Sequence, residues 1–337
     1  MSKTLQEQDR LTEPLCAKNF AQLMSLCGKF ENITSLAVAV SGGGDSMALT
    51  ALLKEWGDAR NIDLVALTVD HGLRTESKAE AKDVQNVLNQ QGIAHDILTW
   101  DHEGDVKSSI QEKARLNRYQ LLLDACRKKN IQYLAVAHNL EDQAETFLHR
   151  LAKGSGVAGL AAMVPVREKE GITLIRPLLS ISHDRLLTTC RAKGVKWIED
   201  PSNQDDKYAR IRLRKSRDIL TQEGLTQTRI ANMAKKFART RDYLEQQTDI
   251  ALQECADLSG GVASVSHDKW LSYHSEIALL ILVEALKYVS GQEYPPRSQS
   301  LEGIYNHMCS LDFKSTTLHG CLISLENKKI KITREIR

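Results

Sequence analysis

Leu36-Ala37-Val38-Ala39-Val40-Ser41-Gly42-Gly43-Gly44-Asp45-Ser46 is the stretch from which the rest of the chain can be organised. Five apolar residues in a row, four of them small or β-branched, suit a short strand buried on both faces. They run into three glycines, and Met47, Leu49, Leu52, Leu53 and Trp56 follow at close to helical spacing. In a strand–glycine turn–helix order, the amides of the first helical turn have no partners inside the helix. Glycines have no Cβ to keep an anion away from those amides, and the helix dipole favours negative charge there. The turn is therefore expected to bind phosphate. It is not a Walker A loop, because G-x-x-x-x-G-K-[ST] and its lysine are missing, and the G-x-G-x-x-G dinucleotide spacing fails as well. Ser41 and Ser46 supply hydroxyl donors. Asp45 would repel a bare phosphate unless a magnesium ion lay between them.

On either side of this turn the first half of the chain alternates strand-like and helix-like segments. Leu64–Val69, His95–Leu98 and Tyr133–Ala137 read as strands, with helices predicted over 77–91, 109–129 and from about 141 to 152. Strands separated by helices of this length require crossover connections, hence a parallel sheet covered on both faces. The fold class is α/β, a doubly wound parallel sheet. Further on, Ile172–Ile175 suits one more strand and Ser182–Lys193 a helix closed by Gly194. Residues 221–337 read as a second, smaller, mainly helical domain, with helices over 229–256 and 275–289. It ends in a β-hairpin, Cys321–Leu325 and Lys329–Thr333 alternating around Glu326-Asn327-Lys328. The boundary is placed at 220/221, beside the polar stretch Thr221–Thr228.

Composition narrows the class. The chain has 337 residues, 42% hydrophobic and 26% charged, which excludes a disordered or fibrous protein. Its longest unbroken apolar run, Ile277–Val283, is far short of the ~20 residues of a membrane span. The opening MSKTLQEQDRLTEPL lacks the apolar segment of a signal peptide. Seven cysteines without a C-x-x-C pair argue for reduced thiols and a cytoplasmic enzyme, not a disulfide framework or a cluster site. The net charge is only +2, yet Lys207–Arg241 holds eleven basic residues against Asp218 and Glu223. A segregated stripe of +9 suits a polyanion.

Further motifs follow the strands. Val69-Asp70-His71-Gly72-Leu73-Arg74 ends the second, at the carboxyl edge where open α/β sheets bind ligands. Glu112, Arg115 and Tyr119 share one face of a helix. Ala137-His138-Asn139-Leu140-Glu141-Asp142-Gln143-Ala144-Glu145 follows the fourth strand, and Asp142 and Glu145 align on one helical face. Then come Lys153-Gly154-Ser155-Gly156, Arg176-Pro177-Leu178-Leu179 and Glu199-Asp200-Pro201-Ser202-Asn203, with Arg210 beyond. The other histidines, His183 among them, show no metal-ligand spacing.

The glycine turn resembles the SGG-x-DS loop of the N-type ATP-pyrophosphatases (the PP-loop superfamily). The motifs together, over about residues 36–215, resemble the tRNA(Ile)-lysidine synthetases. That resemblance implies an enzyme that uses ATP and Mg2+ to adenylate the C2 carbonyl of the wobble cytidine in tRNA(Ile) with a CAU anticodon. L-lysine then displaces AMP to give lysidine, changing the specificity from Met to Ile. It implies that Ser41, Gly42, Gly43, Gly44, Asp45 and Ser46 hold the ATP phosphates, with Asp45 on the metal or near the reacting oxygen. Asp70, His71 and Arg74 would border the nucleotide, Arg115 would offset charge on the α-phosphate, and His138 would line the same cleft. Asp142 and Glu145 would hold the lysine ammonium. Gly154, Gly156, Arg176, Asn203 and Arg210 would surround the substrate channel. A homodimer is implied by the family alone. The chain departs from the family pattern at Glu141, where Asp is frequent, and at Ile211, which replaces Asn in R-N-x-x-R.

Two other functions are weighed against this. A tRNA thiolase of the same superfamily needs a persulfide cysteine or paired cluster cysteines, and none are spaced for it. A non-catalytic ATP-binding regulator has no use for a second-substrate acid pair such as Asp142 and Glu145.

Overall fold

The computed structural model describes residues 13–70, 77–100, 110–198, 217–292, 294–310 and 313–335. The chain forms two compact units, Met1–Ala238 and Arg239–Arg337. The first begins with α1 (Ala17–Ser25), β1 (Ser35–Ala39), α2 (Gly44–Asp58), β2 (Asp63–Asp70), α3 (Ser77–Gln90) and β3 (Ala94–Thr99). It continues with α4 (Ile110–Lys128), β4 (Tyr133–Ala135), α5 (Leu140–Ala152), the single turn α6 (Val157–Leu160), β5 (Val166–Lys169) and β6 (Ile172–Ile175). After these come α7 (His183–Ala192) and α8 (Arg217–Gln222), and then α9 (Gln227–Cys255), which runs into the second unit.

The six strands form one sheet in the order β3-β2-β1-β4-β6-β5. All neighbours are parallel except β5, which pairs antiparallel with β6 at the edge. Successive residues of β1 point to opposite faces, and both faces are buried. Leu36 and Val38 enter a core with Met47, Leu49, Leu52 and Leu53 of α2, while Ala37 enters one with Leu122, Leu123 and Cys126 of α4. This is the doubly wound α/β architecture expected, and the alternating faces explain why β1 reads as an unbroken apolar run.

The strand order matters for function. From β1 the chain proceeds to β2 and β3 on one side, then returns to place β4 on the other. The β1–β4 boundary is thus the topological switch point, where the loops leaving the carboxyl ends of two strands separate and leave a crevice. The glycine turn leaves β1, and Ala137-His138-Asn139 leaves β4. At the far end of this unit, Ile230 and Ala234 of α9 pack with Ala144, Phe147 and Leu160.

The second unit adds β7 (Ala256–Ser259), β8 (Val262–Ser266), α10 (His267–Ser272), α11 (Ser275–Ser290), α12 (Ser298–Met308), β9 (Ser315–Leu318), β10 (Cys321–Glu326) and β11 (Lys329–Arg334). Helix α9, shared between the units, spans the expected 229–256 segment up to Cys255, α11 covers the expected 275–289, and the expected hairpin is β10–β11. Strands β7, β8 and β9 enlarge that hairpin into a five-stranded antiparallel sheet, β7-β8-β11-β10-β9. Three of its connections are two-residue turns with positive φ at both positions: Gly260-Gly261, His319-Gly320 and Asn327-Lys328. That geometry matches the right-handed twist of the flanking strands. Trp270, fully buried, donates its indole N–H to the Ala278 carbonyl at 2.8 Å and anchors the core with Ile281, Leu286, Ile323 and Ile332.

Lys328 is held at φ 59°, where its Cβ is unfavourable, and its ion pair with Asp268 is exposed and adds little. Lys328→Gly should therefore stabilise this unit by about 0.5–1 kcal/mol. A lowered melting temperature in a thermal scan would contradict this.

Candidate functional site

The sequence of the turn dictates its geometry. Gly42 sits at φ 84°, and a Cβ there would lie 2.7 Å from Val84 Cγ2. A Cβ on Gly44 would lie only 2.3 Å from Leu187 Cδ2 of α7. Gly42 accepts a hydrogen bond from the Ile198 N–H at 2.9 Å. The turn is thus packed from behind on α3, α7 and the segment beyond α7, and Gly42, at positive φ and against Val84, is the glycine that this packing requires. Gly43 is the N-cap of α2 and has no side chain with which to satisfy the first-turn amides. Those amides suit an anion.

Ser46 closes the turn on itself. Its Oγ donates to the Gly43 carbonyl at 2.9 Å and accepts from the Ser41 N–H at 3.2 Å. Ser41 Oγ lies 3.3 Å from the same oxygen. Below the turn Cys190, fully buried, donates to the Gly44 carbonyl at 3.4 Å, and burial first and the Asp45 charge second push its thiol up to about 11.

Asp45 is the meeting point of three elements. It lies in the first turn of α2; its Oδ2 accepts from Asn139 Nδ2 at 3.0 Å and its Oδ1 lies 2.7 Å from His183 Nδ1. Asn139 is the N-cap of α5, which directly follows β4. The same side chain accepts the Asp142 N–H at 2.9 Å, while Asp142 Oδ2 accepts the Asn139 N–H at 3.2 Å. This capping box fixes both residues. Glu141, buried, accepts the backbone N–H of His183 at 2.9 Å, which holds the first turn of α7 against that of α5. One hydrogen-bonded chain therefore links the ends of β1 and β4 across the switch point.

Of the sequence-predicted residues, the structure gathers Ser41, Gly42, Gly43, Gly44, Asp45 and Ser46 with Asp142 through Asn139. Asp70 ends β2, buried, and its carbonyl accepts the Trp100 N–H. His138 immediately precedes Asn139, half-buried, and Glu145 is buried on α5. Gly154 and Gly156 are exposed beyond α5. Arg176 is buried, and its Nη1 donates to the Val164 carbonyl at 2.9 Å. Arg115 lies on α4, but its side chain is outside the described residues, as are His71, Arg74, Asn203 and Arg210. Among the described residues no three His, Cys, Asp or Glu side chains gather as a metal site. A magnesium ion is commonly held by one or two carboxylates and the substrate's phosphates, so Asp45 beside the open helix end fits that role without a cage.

Sequence inspection missed Asn139 as a partner of Asp45 and gave His183 no role. The Asn139-x-x-Asp142 spacing marks Asn139 as a helix cap, but nothing local pairs either residue with Asp45.

The Asp45 hydrogen bond raises the His183 pKa above its ordinary 6.5; burial opposes the shift, and the Asp45, Glu141 and Asp184 charges add to it. A histidine whose folded pKa is raised contributes stability in full below its unfolded pKa and loses it as pH rises through the folded one. NMR titration of the His183 ring should give a midpoint above that of a free histidine, falling back in Asp45→Asn. The stability gap between the protein and His183→Gln should narrow from pH 6 upward; a gap that widens would refute the pairing.

Residues 13–220 match the PP-loop domain family. The chain is 38% identical over 304 residues to the tRNA(Ile)-lysidine synthase of Ruegeria pomeroyi, covering 89% of this chain and 71% of that protein. It is 36% identical to the tRNA(Ile)-lysidine synthase of a Bradyrhizobium species, covering 98% of this chain and 97% of that protein. Among solved structures, the U34-tRNA thiolase NcsA from Methanococcus maripaludis with its [4Fe-4S] cluster superposes with a TM-score of 0.53 at 20% identity, covering 68% of this chain and 80% of that one. That likeness concerns the fold alone.

Proposed function

The chain belongs to the tRNA(Ile)-lysidine synthase family of PP-loop enzymes, and from that premise we propose that it joins L-lysine to C2 of the wobble cytidine of tRNA(Ile) with a CAU anticodon, at the expense of ATP. The observation that carries this is the 3.0 Å bond from Asn139 to Asp45, which ties the phosphate-binding turn to the helix bearing Asp142 and Glu145. Nucleotide and amine can then meet in one crevice.

The C2 carbonyl oxygen of cytidine is a poor leaving group, so the base is first activated. That oxygen attacks the α-phosphorus of ATP, the bond to the bridging oxygen breaks, and pyrophosphate leaves with its electron pair. A lysine amine then attacks C2, the C2–O bond breaks, AMP departs, and the amine gives up a proton. The amides of the α2 first turn, together with Ser41 and the three glycines, receive the phosphates. Magnesium, held by Asp45, would neutralise phosphate charge. Ser46 keeps the turn in shape from within. Arg115 offsets charge on the α-phosphate, with Asp70, His71, Arg74 and His138 bordering the nucleotide. Asp142 has one carboxylate oxygen committed to its capping box, and with the buried Glu145 it selects an ammonium over an acidic side chain. Gly154, Gly156, Arg176, Asn203 and Arg210 bound the channel. Residues 1–220 supply this chemistry, and 221–337 grip the tRNA in the cytoplasm. No helix among the described residues is long and apolar enough to cross a membrane.

Purified protein with CAU tRNA(Ile), ATP and radiolabelled lysine should release AMP and pyrophosphate and label the RNA. Production of ADP and inorganic phosphate, or ATP binding without turnover, would exclude the ligase and favour a regulator.

Lys235, Lys236 and Arg239 are exposed on α9. Reversing all three to Glu should weaken tRNA binding on the order of tenfold or more and flatten its salt dependence, because fewer counterions are released. ATP affinity measured by calorimetry should be unchanged; loss of both would mean a folding defect and not a lost RNA contact.

A further inference from the structure

The glycine turn contains one peptide group whose direction is set neither by the strand before it nor by the helix after it. On the strand side, the Val40 N–H is tied to the Leu67 carbonyl and the Ser41 N–H to Ser46 Oγ. On the helix side, the Gly43 carbonyl accepts the Met47 N–H at 3.0 Å, the first bond of α2. The Gly42–Gly43 peptide lies between, with Gly42 at φ 84° and Gly43 at φ −71° and ψ 161°. With no Cβ on either residue, its plane can turn over by opposite rotations of ψ at Gly42 and φ at Gly43. That motion carries Gly43 to positive φ, a conformation glycine adopts readily.

One bond holds the plane. The Gly42 carbonyl accepts the Ile198 N–H at 2.9 Å, and the end of α7 places this donor. Gly194, at φ 65°, closes α7 with its own N–H on the Arg191 carbonyl at 3.1 Å and the Val195 N–H on the Cys190 carbonyl at 2.9 Å. These are the paired bonds of a Schellman cap. Beyond the cap Val195 is buried, and the Arg191 guanidinium lies 5.7 Å over the Trp197 ring. Trp197 and Ile198 pack on the core that contains Leu36, Met47 and Val84. At its start, α7 is held by the bonds from His183 to Asp45 and Glu141. Tertiary packing, and not the turn, therefore fixes where the Ile198 N–H sits.

In a trans peptide the C=O and N–H point in opposite directions. With the Gly42 carbonyl drawn back to Ile198, the Gly43 N–H points to the side of the turn that the 195–198 segment does not cover. Among the described residues no hydrogen bond takes up that N–H. An outward amide next to the open end of α2 suits an anion.

We propose that the Ile198 N–H is a positioning group of the nucleotide site: it locks the Gly42–Gly43 peptide so that the Gly43 N–H donates to a phosphate oxygen of ATP. This rests on the turn receiving the phosphates of ATP. The two bonds are then reciprocal, because whatever the Ile198 bond adds to nucleotide affinity, bound nucleotide adds to the Ile198 bond. Lysine, assigned to α5, has no part in this coupling.

The test has two arms. In the first, Ile198 is replaced by its α-hydroxy acid, which exchanges the N–H for an ester oxygen and keeps the side chain. Calorimetry with α,β-methylene-ATP and Mg2+ should then show about tenfold weaker binding, with the lysine KM at saturating ATP within about twofold. The second arm needs no variant: hydrogen exchange of the unaltered protein is followed by NMR with and without the same analogue. Exchange at the Ile198 amide should slow about tenfold, and at Val195, the reference in the α7 cap, by clearly less. A bond that merely anchors the chain would lower the melting temperature of the ester protein and leave its nucleotide affinity unchanged, which overturns the proposal. Equal slowing at Ile198 and Val195, or equal losses for nucleotide and lysine, also overturns it. Should the ester protein not fold, the exchange arm decides alone. If the unaltered protein does not bind the analogue, the ATP assignment itself fails and this inference with it; binding that is indifferent to the Ile198 N–H refutes the lock alone.

Discussion

A carboxylate in the first turn of a helix competes for the same amides that a phosphate would occupy. Asp45 is in that position at the head of α2, and each of its two oxygens accepts one hydrogen bond, from Asn139 and from His183, with a lone pair to spare. Charge-assisted hydrogen bonds of this kind contribute about 1.5–3 kcal/mol each, enough to fix a short side chain in one rotamer. The amides above it are left for a ligand. Because Asn139 caps α5 and His183 opens α7, the same two bonds set the origins of three helices at the sheet's switch point. The rest of the first unit builds on this arrangement: the glycines let the turn approach α7, Glu141 ties α7 to α5, and α5 carries Asp142 and Glu145.

The parts of this protein that were legible in the sequence are those encoded locally. The Leu36–Ser46 stretch, the alternation of strands and helices, and the Asp142/Glu145 spacing all depend on neighbours within a turn or two. The parts that were not legible depend on residues far apart in the chain. Asn139 and His183 stand 94 and 138 positions from Asp45, and no period or spacing announces either pairing. His183 was noted only for lacking metal-ligand spacing, and its partner, the Asp45 carboxylate, is one that only the fold brings near.

The second unit shows the opposite failure, where a local signal was present and outweighed. Asn327-Lys328 was recognised because the flanking strands alternate cleanly. Gly260-Gly261 and His319-Gly320 mark equivalent turns, but their strands are short and rich in Ala, Ser and Thr, with little periodicity to support them. The long helices on either side dominated the composition. Antiparallel pairing to β11 and β10 supplies what these weak strands lack by themselves.

Cys190 lies directly beneath the glycine turn, fully shielded and kept protonated. A thiol at a nucleotide site would ordinarily invite oxidation or attack by an electrophilic inhibitor, since it is the thiolate that reacts. Here such reagents meet Cys16 and Cys309 at the surface instead. A covalent inhibitor aimed at this turn would have to find another warhead target, and peroxide could reach the Cys190 thiol only after the unit had opened.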